Sequence, residues 1–178
     1  MLAGLSCNCA ASFFLARRGQ IVQEPAPMQH YELSWAQLGW WPFGSDRAGR
    51  APPSLPGIHP GDRVAFLVVA PWCPDCQELV PAMILDGFAE QALPGKTWLV
   101  GEFAPERAVA EFARERELHW PLLCGTQEKT EIARMEARFA SVRRAFGDTR
   151  YWGLPTYIEA VVQPGGSSFL IDTVTWPE

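Results

Sequence analysis

Positive charge is in short supply in this chain: 15 lysines and arginines face 20 aspartates and glutamates, for a net charge of −5. No basic stripe interrupts that balance, so the electrostatic footprint of a nucleic-acid binder is missing. No apolar run approaches the roughly 18 residues that span a bilayer, and we expect no membrane span. A glycine-rich phosphate loop and a Ser-His-Asp signature are absent as well. The histidines, His30, His59 and His119, have no paired spacing. Cysteine is scarce and odd in number: Cys7, Cys9, Cys73, Cys76 and Cys124. Such a count in a chain this long does not fit a secreted disulfide framework, so cytoplasmic, reducing surroundings are expected. The N-terminal "MLAGLSCNCAASFFLA" is apolar, but no basic residue precedes it and Arg17-Arg18 follow it. That is the reverse of a secretory signal; export is the alternative.

What remains is an ordinary globular composition. With 178 residues, 48 % hydrophobic and 20 % charged, the chain can bury a sizeable core, most simply as one domain with an extension. Residues 1–27 read as a tail, 28–61 as an extension and a Pro/Gly-rich linker, and 62–178 as the main domain. Ser34 is placed to cap a short helix. Trp40, Trp41 and Phe43 are placed to dock the extension on the core.

The run "RVAFLVVA", residues 63–70, suits a strand buried on both faces, in the middle of an α/β sheet. The period then changes. Cys76, Leu79, Val80, Met83, Ile84 and Phe88 recur at threes and fours, so a helix follows at once, with Pro81 inside it as a kink. "KTWLVGEF" reads as a second strand. Pro105 can open a helix at its first position, with Val109 and Phe112 inward. "HWPLLCG" is a short strand or a loop, and residues 128–146 carry a clean helical ladder from Ile132 to Phe146. "PTYIEAVV", a "QPGG" turn and "SSFLIDTVTW" read as an antiparallel hairpin. The element order implies a central mixed β-sheet flanked by helices.

The chemistry lies in "APWCPDCQELVP", residues 70–81. Three readings of Cys73 and Cys76 compete. Structural zinc needs about four ligands in paired motifs, and neither the C-x-C of Cys7 and Cys9 nor the histidines supply them; no metal is expected. An inert pair is the second reading. A redox pair at a strand-to-helix junction is the third, and the one we adopt. A helix that starts at Cys73 presents N–H groups and a positive dipole end to a thiolate there. Pro74 then sits at the first helical position, where its missing N–H costs nothing. Cys76, one turn on, is turned inward as the resolving thiol, and Cys73 is the exposed nucleophile. Trp72 shields one side. Asp75 is either a plain helix-start acid or a carboxylate that raises the pKa of Cys73 and favours a reducing couple.

Taken with the "GLPT" far downstream, "WCPDCQELVP" resembles the thioredoxin superfamily, and the Pro-Asp dipeptide is similar to a thioredoxin-related group with W-C-P-D-C. The likeness covers roughly residues 62–175 through Trp72, Cys73, Cys76, Pro81 and Pro155. It implies a thioredoxin-like fold with an N-terminal extension and an inserted helical segment. It implies that Pro155 is cis and faces the cysteines, and that Leu154 offers main-chain hydrogen bonds to a substrate. No bound cofactor is implied beyond a redox-active Cys73–Cys76 disulfide. The partners implied are a protein or small-molecule disulfide and a thiol reductant or reductase. Two departures stand out. Leu67 occupies the place of the family's buried aspartate, leaving Glu102 or Asp86 as candidate proton acceptors for Cys76. The chain also stops where the family's last helix is expected. Outside the motif, Cys124 reads as a buried inert thiol and His119 as an edge residue. Trp152 is a candidate for lining the site. The expected activity is thiol–disulfide exchange through a mixed disulfide; a redox-sensing or partner-binding module with little turnover is the alternative.

Overall fold

The computed structural model describes residues 31–47, 55, 57–85, 96–127 and 154–175. The ladder at 128–146, the tail, Asp86, Phe88 and Trp152 lie outside these described residues. Seven strands form one sheet: β1 (Tyr31–Ser34), β2 (Trp41–Pro42), β3 (Arg63–Val69), β4 (Thr97–Gly101), β5 (Leu122–Cys124), β6 (Thr156–Val162) and β7 (Ser168–Thr175). Among the described residues, three helices accompany them: α1 (Trp35–Leu38), α2 (Pro74–Leu85) and α3 (Glu106–Glu115). The order across the sheet is β1-β7-β6-β3-β4-β5-β2. β3 runs parallel to β4 and antiparallel to β6, and β4 runs parallel to β5. The architecture is therefore the mixed sheet with helices that the sequence pattern implies.

β3 is central because nothing along it after Arg63 prefers water. Val64 through Val69 are all buried, at 1 % exposure or less. Each buried valine, leucine or phenylalanine among them contributes about 1.5–3 kcal/mol relative to an exposed one. On one face Phe66 meets Trp40, Trp98 and Phe169, with ring centroids 5.0, 6.0 and 5.6 Å away. On the other, α3 lies so close to β4 that a Cβ on Gly101 would land inside Val109. Val109 and Phe112 face inward, as their spacing implies. Pro105 sits one place earlier than expected: it is the N-cap residue of α3, and Glu106 takes the first helical position. Its fixed φ is compatible with either place, and an N-cap also lacks an intrahelical N–H bond.

β6 and β7 form the expected antiparallel hairpin, with positive φ at Gly165 and Gly166 in the turn. Residues 31–42 supply both outer strands of the same sheet: β1 pairs with β7, and β2 with β5. Ser34 does cap α1. Its hydroxyl accepts from Gln37 N–H at 3.2 Å, and Gln37 Oε1 accepts from Ser34 N–H at 2.8 Å, a reciprocal capping box. Ser34→Ala should therefore lower stability by about 1 kcal/mol in urea titrations; an unchanged midpoint would show that the tryptophans alone hold α1 in place. Trp40 is fully buried and Trp41 9 % exposed, whereas Phe43 projects into solvent.

Candidate active site

β3 ends at Val69, and the chain turns through Ala70, Pro71 and Trp72 into α2. Cys73 N–H donates to Ala70 O at 2.9 Å, and Gln77 N–H donates to Cys73 O at 3.1 Å. Cys73 thus stands at the N-cap place and Pro74 at the first helical position, as the motif implies. Gln77 Nε2 donates back to Pro71 O at 2.9 Å, tying the helix to the turn. Pro81 lies within α2 and has no N–H to donate to Gln77 O.

All three described cysteines are thiols. Cys76 is fully buried and hydrogen-bonded through its side chain to Cys73. Ala70 N–H points at Cys76 Sγ at 3.5 Å. Burial pushes the Cys76 thiol far above its ordinary pKa. The hydrogen bond and charge of Cys73 push it further, Ala70 N–H opposes them, and Asp75 adds a smaller push in the same direction. Pro74 and Asp75 face solvent. Asp75 thus lies on the exposed rim, with its field felt at Cys76.

Cys73 departs from expectation in one respect. It is 2 % exposed, not open to solvent. It packs in the core cluster with Cys76 and Leu154, with half-buried Trp72 against that cluster. Its Sγ lies 4.0 Å from Leu154 O. The Leu154–Pro155 peptide bond is cis. The structure therefore brings Trp72, Cys73, Cys76, Leu154 and Pro155 together, with Pro74 and Asp75 on the outer rim.

Glu102, one of the two candidate acceptors for Cys76, is held by Trp40 and Thr126. It is fully buried beyond the end of β4. One carboxyl oxygen accepts from Trp40 Nε1 at 2.6 Å and the other from Thr126 N–H at 2.8 Å. A Cβ on Gly125 would land inside that carboxyl group. Its charge is felt by Cys124, and Asp86 lies outside the described residues. The sequence signal for this cradle was weak: a lone acid after a strand usually reads as solvated, and Trp40 is 62 positions away.

Cys124 is buried, and its pKa is pushed up to about 12, first by desolvation and then by Glu106, with Arg47 opposing and Glu102 adding. It is an inert thiol at neutral pH. Arg47 donates to Gly125 O at 2.8 Å and to Glu106 at 2.7 Å, strapping the loop after β2 onto α3. An unfolded-state thiol ionises near pH 8.5. Below that pH both states keep the proton and no stability is lost. Above it the unfolded chain sheds a proton that the folded chain holds, so stability falls by about 1.4 kcal/mol per pH unit for such a group. Burial raises Cys76 and Tyr157 in the same sense. Stability should therefore fall from about pH 8.5 toward pH 10, and less steeply in Cys124→Ala. Equal slopes in urea midpoints would show that Cys124 ionises in the folded chain as it does unfolded.

Among the described residues, no group of three or more His, Cys, Asp or Glu side chains is placed to hold a metal ion. No helix among them is long and apolar enough to cross a membrane.

No protein-family model matches the sequence, and a search of curated proteins finds no match. Solved structures do match. One is a secreted Mycobacterium tuberculosis disulfide oxidoreductase homologous to E. coli DsbE: 16 % identity, over 67 % of this chain and 72 % of that one, with a TM-score of 0.40. Another is the M. tuberculosis protein DsbF, solved in mixed oxidised and reduced forms: 21 % identity over the same shares, with a TM-score of 0.39. A third is a thiol:disulfide interchange protein of the thioredoxin family from Chlorobium tepidum: 13 % identity, over 88 % of this chain and 89 % of that one, with a TM-score of 0.41. The chain is thus similar to solved thiol–disulfide oxidoreductases of low sequence identity.

Proposed function

We propose that this chain is a thioredoxin-like thiol–disulfide oxidoreductase working through Cys73 and Cys76. The observation that carries the proposal is a pair of hydrogen-bonded thiols at the first turn of α2, with Cys73 beside the Leu154 carbonyl. The thiolate of Cys73 attacks one sulfur of a substrate disulfide. A new S–S bond forms, the substrate bond breaks, and the departing sulfur leaves as a thiolate that takes up a proton. Cys76 then gives up its proton and attacks the Cys73 sulfur. The second substrate thiol is released, and Cys73 and Cys76 are left as a disulfide. Two electrons have passed to the substrate, and an external thiol reductant or reductase returns them.

The environment of Cys76 suits the second role. Its raised pKa keeps it protonated while Cys73 carries the charge, so it does not compete for the first attack. Once Cys73 is in a mixed disulfide, its charge is gone, and that part of the upward push on Cys76 goes with it. The resolving step is thereby timed to follow capture. Ala70 N–H stands ready to stabilise the Cys76 sulfur as it ionises. On this reading Leu154 and Pro155 present main chain to the substrate, Trp72 walls the site, and Pro74 and Asp75 form its outer rim. Cytoplasmic residence is part of the proposal and rests on the odd cysteine count.

The near-complete burial of Cys73 favours a second reading, in which the pair is a redox switch on a partner-binding module and turns over little. Reduction of insulin disulfides with dithiothreitol as electron source separates the two. The first reading expects catalysis well above the dithiothreitol background. Background rates from the native protein would favour the switch.

A further inference from the structure

Glu102 belongs to the site through its neighbours. Its backbone N–H donates to Val69 O at 2.8 Å, at the end of the strand that leads into Cys73. Its side chain is held by Trp40 and by Thr126 N–H, against a glycine that leaves room for it. The next residue, Phe103, is buried in a left-handed conformation, with φ of 56°. Its carbonyl accepts from Trp72 Nε1 at 2.8 Å. Trp72 packs both against the cluster that contains Cys73 and Cys76 and against the one that contains Cys124. A continuous line of contacts therefore runs from Trp40, in the N-terminal extension, through Glu102 and the Phe103 carbonyl to the indole of Trp72, the residue that precedes Cys73.

Two features make this more than core packing. A buried carboxyl group is costly unless its oxygens are satisfied, and here an indole N–H, a backbone N–H and a missing Cβ serve it at once. A left-handed backbone at a bulky residue is also uncommon and needs support from its surroundings. The Glu102 side chain pins the residue immediately before that backbone, and so aims the carbonyl that Trp72 needs.

We infer that Glu102 is a positioning residue: held by Trp40 and Thr126, it fixes the Phe103 carbonyl that clamps Trp72 over Cys73, and so sets access to the nucleophile. The inference deepens the oxidoreductase reading and rests on Cys73 being its nucleophile. The extension is on this account part of the active-site wall.

The test is a double-mutant cycle on the full-length reduced protein. Cys73 alkylation by iodoacetamide is followed by mass spectrometry of its peptide, which sets the other cysteines aside. In Glu102→Gln the side-chain amide turns an N–H toward one of the two donors, so one hydrogen bond is lost and the clamp loosens. Alkylation should then accelerate by about five-fold. Trp72→Phe, which removes the indole N–H, should give a similar rise. In the Trp72→Phe background, Glu102→Gln should add less than about two-fold, because both changes break one link. Multiplication of the two effects, or a native rate in Glu102→Gln, would overturn the inference. If Glu102→Gln does not fold, Trp40→Phe replaces it in the same cycle with the same expectations. Failure of both to fold would assign Glu102 to the fold alone and overturn the inference too. Alkylation reads the surroundings of Cys73 whether or not insulin is reduced, so failure of the oxidoreductase reading shows in the insulin assay and failure of this inference shows in the cycle.

Discussion

Cys73→Ser should abolish disulfide reduction, while Cys76→Ser should leave a chain that captures one substrate and holds it. The two thiols are hydrogen-bonded neighbours, yet their surroundings are unequal. Cys73 caps α2 beside the Leu154 carbonyl, and Cys76 lies one turn deeper with its pKa driven up by burial. A serine at position 73 has no sulfur with which to form the mixed disulfide, so insulin reduction should drop by about a thousand-fold or more, to the dithiothreitol background. A serine at position 76 spares the first attack and removes the second. With no added reductant, the mixed disulfide on Cys73 should then accumulate toward one substrate per chain, visible as a mass increase that dithiothreitol reverses. Near-native turnover in Cys73→Ser would move the nucleophile to another cysteine. Equal trapping by Cys73→Ser and Cys76→Ser would remove the division of labour.

Trp40→Ala should be the most damaging single substitution in the extension. Trp40 has no exposed surface. Its ring meets Phe66 at 5.0 Å and Trp35 at 6.4 Å, and its N–H is bonded to a carboxyl group with no access to water. Truncation opens a large cavity and withdraws a donor from Glu102. The first effect alone costs about 3–5 kcal/mol, and a buried polar group left short of a partner adds about 1–3 kcal/mol. The sum is comparable to the whole stability of many domains, so Trp40→Ala should be largely unfolded or retain only a small urea midpoint. A loss below about 1 kcal/mol would mean that the extension rests on the sheet without bracing it.

What the sequence revealed and what it hid follow from the range of the interactions. β3, the start of α2 and the β6–β7 hairpin were legible because each is signalled locally: an unbroken apolar run, a change of period at Cys76, a Pro-Gly-Gly turn. The capping of α1 by Ser34 was legible for the same reason. The pairings of β1 with β7 and β2 with β5 were not, because strands of four and two residues carry too little pattern to name a partner more than 80 positions away. Of the site, Trp72, Cys73, Cys76 and Pro155 could be named from motif spacing. The degree of burial of Cys73 could not, since it depends on Leu154, 81 positions away, whose carbonyl oxygen lies 4.0 Å from the sulfur. Glu102 was singled out only as a candidate acceptor for Cys76. Only the fold places its carboxyl group between Trp40 and Thr126.

The central claim is that Cys73 and Cys76 form a reversible two-electron couple. Titration of the purified protein in glutathione buffers of graded potential, with quenched alkylation and peptide mass spectrometry, tests it most directly. The expected result is a single transition in which Cys73 and Cys76 lose alkylation together and appear as one linked peptide, with a slope of about 30 mV per tenfold change in ratio. Two thiols that stay alkylatable across the oxidising range, or that oxidise separately to glutathione adducts, would contradict it.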